Sequence, residues 1–173
     1  MSFNESVPFS FDIRPATFSD IGDMALVLDR ATSQREGLPL PTELTHAPVL
    51  GEVIERMGKL GAWAQVAIGR VQMAGFILGH PSSEEETIQT DSTVEYISLL
   101  MTEPNYWRRG VGSALLDTAV GTARDRGREH LVLWTAASNL RAQRVYENYG
   151  FHVTRNTRIS QYRGAQLQYR LDI

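Results

Sequence analysis

The chain has 173 residues, 42% hydrophobic and 21% charged, and a formal net charge of −3. That is enough for one domain with its own core, and the balance argues against a nucleic-acid face or a membrane surface as the main partner. With no cysteine, thiol nucleophiles, thiolate metal sites and disulfides are excluded.

The N-terminal segment lacks a charged region followed by an apolar run, and no window reaches the ~18 apolar residues of a spanning helix. The expectation is a cytoplasmic protein forming a single domain over residues 1–173. In chain order, Phe9, Phe11 and Ile13 alternate with polar residues and predict a first strand closed by Pro15. Thr17 or Ser19 can cap a helix in which Ile21, Met24, Ala25 and Leu28 share a face. The stretch 33–48 contains three prolines and one glycine and reads as an irregular connection. A second helix follows, with Leu50, Val53, Ile54 and Met57 at helical spacing.

Two strands, 62–68 and 71–80, flank Gly69-Arg70 as a hairpin. The acidic run 81–93 has no periodicity and reads as a solvated loop. Val94 to Met101 is a fourth strand, followed by a loop with two glycines and a helix begun on the second, Gly112. Such a loop turns free helix N–H groups toward an anion, so a phosphate-bearing ligand is expected. Residues 130–136 are almost wholly apolar, as in a strand buried on both faces. Ser138 or Asn139 then caps a helix stopped by Gly150, and two strands, 151–159 and 165–173, end the chain. In the last, Leu167, Tyr169, Leu171 and Ile173 alternate with polar residues, so one buried face is expected. The order β-α-α-β-β-β-α-β-α-β-β makes an α/β (α+β) fold with a mixed sheet, the fourth and fifth strands parallel through a βαβ crossover.

Other phosphate and hydrolase motifs are missing. The single lysine, Lys59, lies in MGKLG and cannot complete a nucleotide-binding P-loop, and there is no G-x-S-x-G elbow. The four histidines show no i,i+4 pair, so no metal site is expected.

Pro104 and Tyr106-Trp107-Arg108-Arg109-Gly110-Val111-Gly112, followed by Asn139, Ala142, Tyr146, Gly150 and Phe151, resemble the GNAT superfamily of N-acetyltransferases, over nearly the whole chain. The resemblance implies a central, mostly antiparallel sheet of about seven strands flanked by four helices, with acetyl-CoA as co-substrate. It also implies that the backbones of Trp107, Arg108, Arg109, Gly110, Val111, Gly112 and Ser113 cradle the coenzyme pyrophosphate. Trp107 departs from the family's usual Gln or Arg, a change that a loop working through main-chain N–H groups can tolerate.

By the same resemblance Leu100, Met101 and Thr102 splay from the fifth strand, so that main-chain groups pair with the pantetheine arm. Asn139 also contacts that arm, and Tyr146 contacts the coenzyme and acts as general acid toward the departing thiolate. An attacking amine needs to lose its proton, and Glu95 is the first choice of base, although it is one residue out of register with the family's glutamate, toward Tyr96. Glu103 and His46 are weaker choices. The acceptor is expected to be the primary amine of a small molecule or peptide, in a groove walled by residues 32–60 and the last strands, with Leu38, Leu40, His46, Trp63 and Tyr162 as candidates. The other reading is a non-catalytic acyl-CoA-binding regulatory module, supported by Trp107 and the unsettled base. Homodimers are common in the family.

Overall fold

Residues 9–44, 47–82, 91–161 and 163–173 are described by the structure, a computed structural model of the chain. The eleven elements occur in the predicted order. Seven strands, β1 (Phe11–Pro15), β2 (Trp63–Gly69), β3 (Met73–Pro81), β4 (Val94–Thr102), β5 (His130–Ala136), β6 (His152–Ser160) and β7 (Gly164–Asp172), form one sheet in the order β1-β2-β3-β4-β5-β7-β6. Only the β4–β5 pair is parallel, as the crossover through α3 (Val111–Asp125) requires.

Helices cover both faces. On one, α1 (Ile21–Glu36) and α2 (Ala47–Met57) bury Met24, Leu28 and Val53 against Val66, Phe76 and Leu99. On the other, α3 and α4 (Leu140–Tyr149) bury Leu115, Leu116 and Tyr146 against Ile77, Leu131 and Leu133. The helices keep their 3.6-residue apolar stripes, and β5 is sealed from both sides as its composition predicts.

Four local expectations are corrected. Helix α1 continues through Ser33-Gln34-Arg35-Glu36, because the breakers of that stretch begin only at Gly37, whose left-handed φ of 70° ends it. The β2–β3 connection is three residues, Arg70–Gln72, closed by the Gly69 N–H donating to Gln72 O at 2.9 Å, and Val71 faces solvent. Helix α3 starts at Val111, with Gly110 as its cap. The polar face of β7 is not open either. Gln166 and Gln168 are buried, bonded to side chains of the neighbouring β6: Gln168 Oε1 accepts from Thr154 and Asn156 and Gln166 Oε1 accepts from Arg158. Most of the acidic run 81–93 lies outside the described residues.

Candidate active site

The β3–β4 ladder pairs Leu78 with Leu99 and Gly79 with Ile97, so Ser98 is an extra residue with no partner on β3. Such a bulge bends its strand. Pairing between β4 and β5 ends at Ile97–Leu133, yet β4 runs on to Thr102 along β3 while β5 runs on to Ala136 along β7. The two strands therefore part, leaving main-chain groups of β4 without a strand partner on that side. A cleft of about 420 Å³ opens in the gap, and Leu100, Met101 and Thr102 line it. Ser98 also lines it; the residue is 9% exposed, and its buried hydroxyl has no hydrogen-bond partner.

One end of the cleft is the loop into α3. Arg108 (φ 62°) and Gly110 (φ 78°) are left-handed, a conformation that costs little for glycine and is uncommon for arginine. The first bond of α3 runs from Ala114 N to Gly110 O at 3.0 Å. The N–H groups of Val111, Gly112 and Ser113 are thus left without intrahelical acceptors at the positive end of the helix dipole. Trp107, Arg108 and Gly110 to Ser113 line the cleft. Arg109 does not; its guanidinium lies over the Phe9 ring, 5.1 Å from the centroid.

Trp107 is bound on two sides. Its indole N–H donates to Thr102 O at 2.9 Å, and the Arg141 guanidinium stacks 3.5 Å from its ring centroid. Burial, and after it the charge of Arg108, lowers the Arg141 pKa below its ordinary value. Sequence reasoning missed Arg141, although it lies within the motif that yielded Asn139 and Ala142. Its partner is a tryptophan 34 positions away in the chain, which no local pattern reveals.

Helix α4 enters the cleft from the opposite side. Asn139 caps it, Oδ1 accepting from Ala142 N at 3.2 Å, and Gly150 (φ 117°) ends it. Seven residues on from Asn139, Tyr146 lies on the same helical face, and both residues line the cleft. Tyr146 is buried beside Phe151 and Tyr169. Burial pushes its phenol well above the usual pKa, with Tyr96 adding to the effect, so it stays protonated throughout the neutral range.

Glu95 is elsewhere. It lies near the start of β4, fully buried, and is not among the residues of the cleft. Trp63 Nε1 donates to its Oε1 at 2.6 Å, Arg126 reaches Oε1 at 3.0 Å and Arg128 reaches Oε2 at 3.1 Å. Both of its oxygens are therefore occupied, at the end of β4 opposite the splay. Trp63 is held there with it, its ring packed where a Cβ on Gly79 would fall.

Glu103 is likewise withdrawn, buried and gripped by Arg30 at 2.7–3.0 Å. Leu38 and Leu40 do not line the cleft, and His46 and Tyr162 lie outside the described residues. Among the described residues no Asp or Glu lines the cleft, whereas four arginines do: Arg35, Arg108, Arg141 and Arg163.

This arrangement joins main-chain donors for a diphosphate, two arginines beside them, a strand edge able to pair with an extended amide chain, and a protonated phenol. It fits an acylated, diphosphate-bearing carrier. Comparisons with known proteins agree. The model of the acetyltransferase (GNAT) family matches residues 39–151. Among solved structures, a Desulfovibrio desulfuricans protein assigned to the GNAT acetyltransferases superposes with a TM-score of 0.72 at 19% identity, over 94% of this chain and 99% of that one. The Escherichia coli ribosomal-protein-S18-alanine N-acetyltransferase gives 0.70 at 20% identity, over 95% and 94%. A Bacillus anthracis protein assigned as a streptothricin acetyltransferase, in complex with acetyl coenzyme A, gives 0.57 at 21%, over 69% and 67%. A search of curated protein sequences finds no match. The family match spans well over half of the chain, and with the splayed strands and the helix-capped loop it places this protein in the GNAT acetyltransferase family, whose acyl donor is acetyl-CoA.

Proposed function

We propose that residues 1–173 act as one N-acetyltransferase domain that moves the acetyl group of acetyl-CoA to the primary amine of a small molecule or peptide, by direct attack in a ternary complex. The observation that carries this reading is the convergence on one cleft of the free N–H groups of α3, the open edge of β4 and the Tyr146 phenol.

In this reading the N–H groups of Val111 to Ser113 hold the diphosphate, Trp107 braces the loop, and Arg108 and Arg141 add charge. The unpaired edge of β4 from Ser98 to Thr102 receives the pantetheine amides and polarises the thioester carbonyl. The amine nitrogen forms a bond to the carbonyl carbon, the carbon–sulfur bond breaks, and the leaving sulfur takes the Tyr146 proton. The proton lost by the amine passes through water and restores the phenol. Water fits this role because Glu95 and Glu103 are tied down by arginines and do not line the cleft. A chain without cysteine has no thiol for an acyl-enzyme, which supports direct transfer.

The test is twofold: titration of acetyl-CoA by calorimetry, then release of free thiol across a panel of amines. Absence of coenzyme binding overturns the site. Binding without thiol release for any amine overturns the transfer reading and favours a coenzyme-binding regulatory module.

A further inference from the structure

Besides the arginines of the loop into α3 and of α4, the cleft wall has a charge pattern that the transfer chemistry alone does not require. Arg35, in the last turn of α1, and Arg163, in the turn before β7, both line it and remain partly exposed, at 41% and 34% of their side chains. Arg163 Nη2 reaches Glu52 Oε1 of α2 at 2.6 Å. The same carboxylate oxygen receives Arg56 Nη2 at 2.9 Å, and Arg56 Nη1 is 3.5 Å from the carbonyl of Ser98, at the bulge. A chain of contacts therefore runs from the β6–β7 turn across α2 to the strand where acyl transfer is placed. Two guanidinium groups, of Arg56 and Arg163, share the Glu52 carboxylate in it. Glu36, 3.7 Å from Arg35, lies on the outside at 52% exposure. Ser98, which lines the same cleft, holds out a buried hydroxyl with no partner.

An ammonium entering beside Arg35 and Arg163 would find positive charge and, among the described residues, no acid in the cleft wall to hold it. An anion would find two planar, multidentate donors. We propose that the acceptor is an amine that also carries a carboxylate, bound by Arg163 and Arg35 at the open end of the β4–β5 gap. This rests on the acyl-transfer reading above. The arrangement serves the chemistry twice. It orients the acceptor by its anionic end, and neighbouring positive charge favours the neutral, nucleophilic form of the amine, which eases the lack of a side-chain base.

The experiment uses matched pairs of amines that differ by one carboxylate, such as lysine with cadaverine, β-alanine with ethylamine and phenylalanine with phenethylamine, with saturating acetyl-CoA and free thiol as readout. In the pairs that react, the carboxylate-bearing member should have the higher kcat/KM by about tenfold or more, the worth of a hydrogen bond to a charged group. R163Q, which removes one guanidinium and releases Glu52, should lower that ratio toward or below one. E52Q, which frees Arg163, should raise it. R155Q, which removes an exposed charge of β6, should leave it as in the wild type. The reciprocal response of R163Q and E52Q is something a purely structural pair would not produce. A ratio of one or less in the wild type, or a ratio indifferent to both variants, overturns the carboxylate proposal while acyl transfer stands. Coenzyme binding with no thiol release from any amine overturns the transfer reading and this proposal with it.

Discussion

The indole N–H of Trp107 donates to the main-chain carbonyl of Thr102 at 2.9 Å, tying the entrance of the loop before α3 to the last residue of β4. The residue that departs from the family's usual Gln or Arg thus spans the loop entrance by a hydrogen bond, and its other face carries Arg141. The loop's own N–H groups remain free for an anion. Trp107→Phe keeps the ring beneath Arg141 and loses one hydrogen bond, worth ~0.5–1.5 kcal/mol. Trp107→Ala also loses the cation–π contact, worth about 0.5–2 kcal/mol. Calorimetry should rank acetyl-CoA affinity as wild type, then Phe, then Ala; an Ala variant that binds as the wild type does would refute the bracing role.

Tyr146→Phe removes the only hydroxyl that α4 brings to the cleft and leaves the ring contacts with Phe151 and Tyr169. General-acid assistance contributes roughly 10²–10⁴ in rate, so kcat should fall by about a hundredfold or more. Coenzyme affinity should change little, because the ring still packs. An unaltered kcat would remove the acid assignment.

Glu95→Gln distinguishes a structural anion from a base. The pH–rate profile should keep its shape, since Glu95 lies outside the cleft. Stability should fall instead, because Arg126 and Arg128 lose their shared partner. Breaking a fully buried pair costs ~3–5 kcal/mol, and here both arginines still reach water, so about 2 kcal/mol is expected. Chemical denaturation reads this directly.

The Arg30–Glu103 pair should behave differently. Glu103 is 1% exposed and accepts three contacts from Arg30, which also donates to Pro41 O at 2.6 Å and so ties the loop after α1 to the end of β4. Arg30→Ala strands a buried carboxylate and should cost about 3–5 kcal/mol. Arg30→Met combined with Glu103→Met removes both charges and should recover most of that loss. If the double variant is no more stable than Arg30→Ala, the cost does not come from the unpaired charge.

Asp20 supplies the acid-stability prediction. Its carboxylate accepts from Arg14 at 2.8 Å and from Thr17 N at 2.7 Å, and the Arg14 hydrogen bonds, foremost, hold its pKa far below the carboxylate range. A depressed folded-state pKa contributes stability that is fully present above the unfolded value of ~3.9 and is lost as the pH falls below it. Asp20→Asn should therefore lower Tm by a constant amount from pH 8 to about pH 5, with the gap closing below about pH 4. A gap that widens on acidification would contradict the assignment.

Much of this protein is written in short stretches of its sequence. The apolar stripe of α1, the all-apolar run of β5, the Asn139 cap, the Gly150 stop and the Gly-Val-Gly turn into α3 each follow from dihedral preference and side-chain period over a few neighbouring residues. That sufficed for the order of elements and, through the crossover rule, for the parallel pair at the centre of the sheet. It could not locate the Ser98 bulge, because a bulge is a mismatch between two strands and has no mark within either. Glu95 is a candidate base by its place on β4, and only the packing of Trp63, Arg126 and Arg128 around the start of that strand shows that its oxygens are occupied outside the cleft. Arg163 and Glu52 are 111 residues apart in the chain, and Trp107 meets Arg141 across the cleft. Such pairings are chosen by which strands and helices become neighbours, and they place the charges around the cleft.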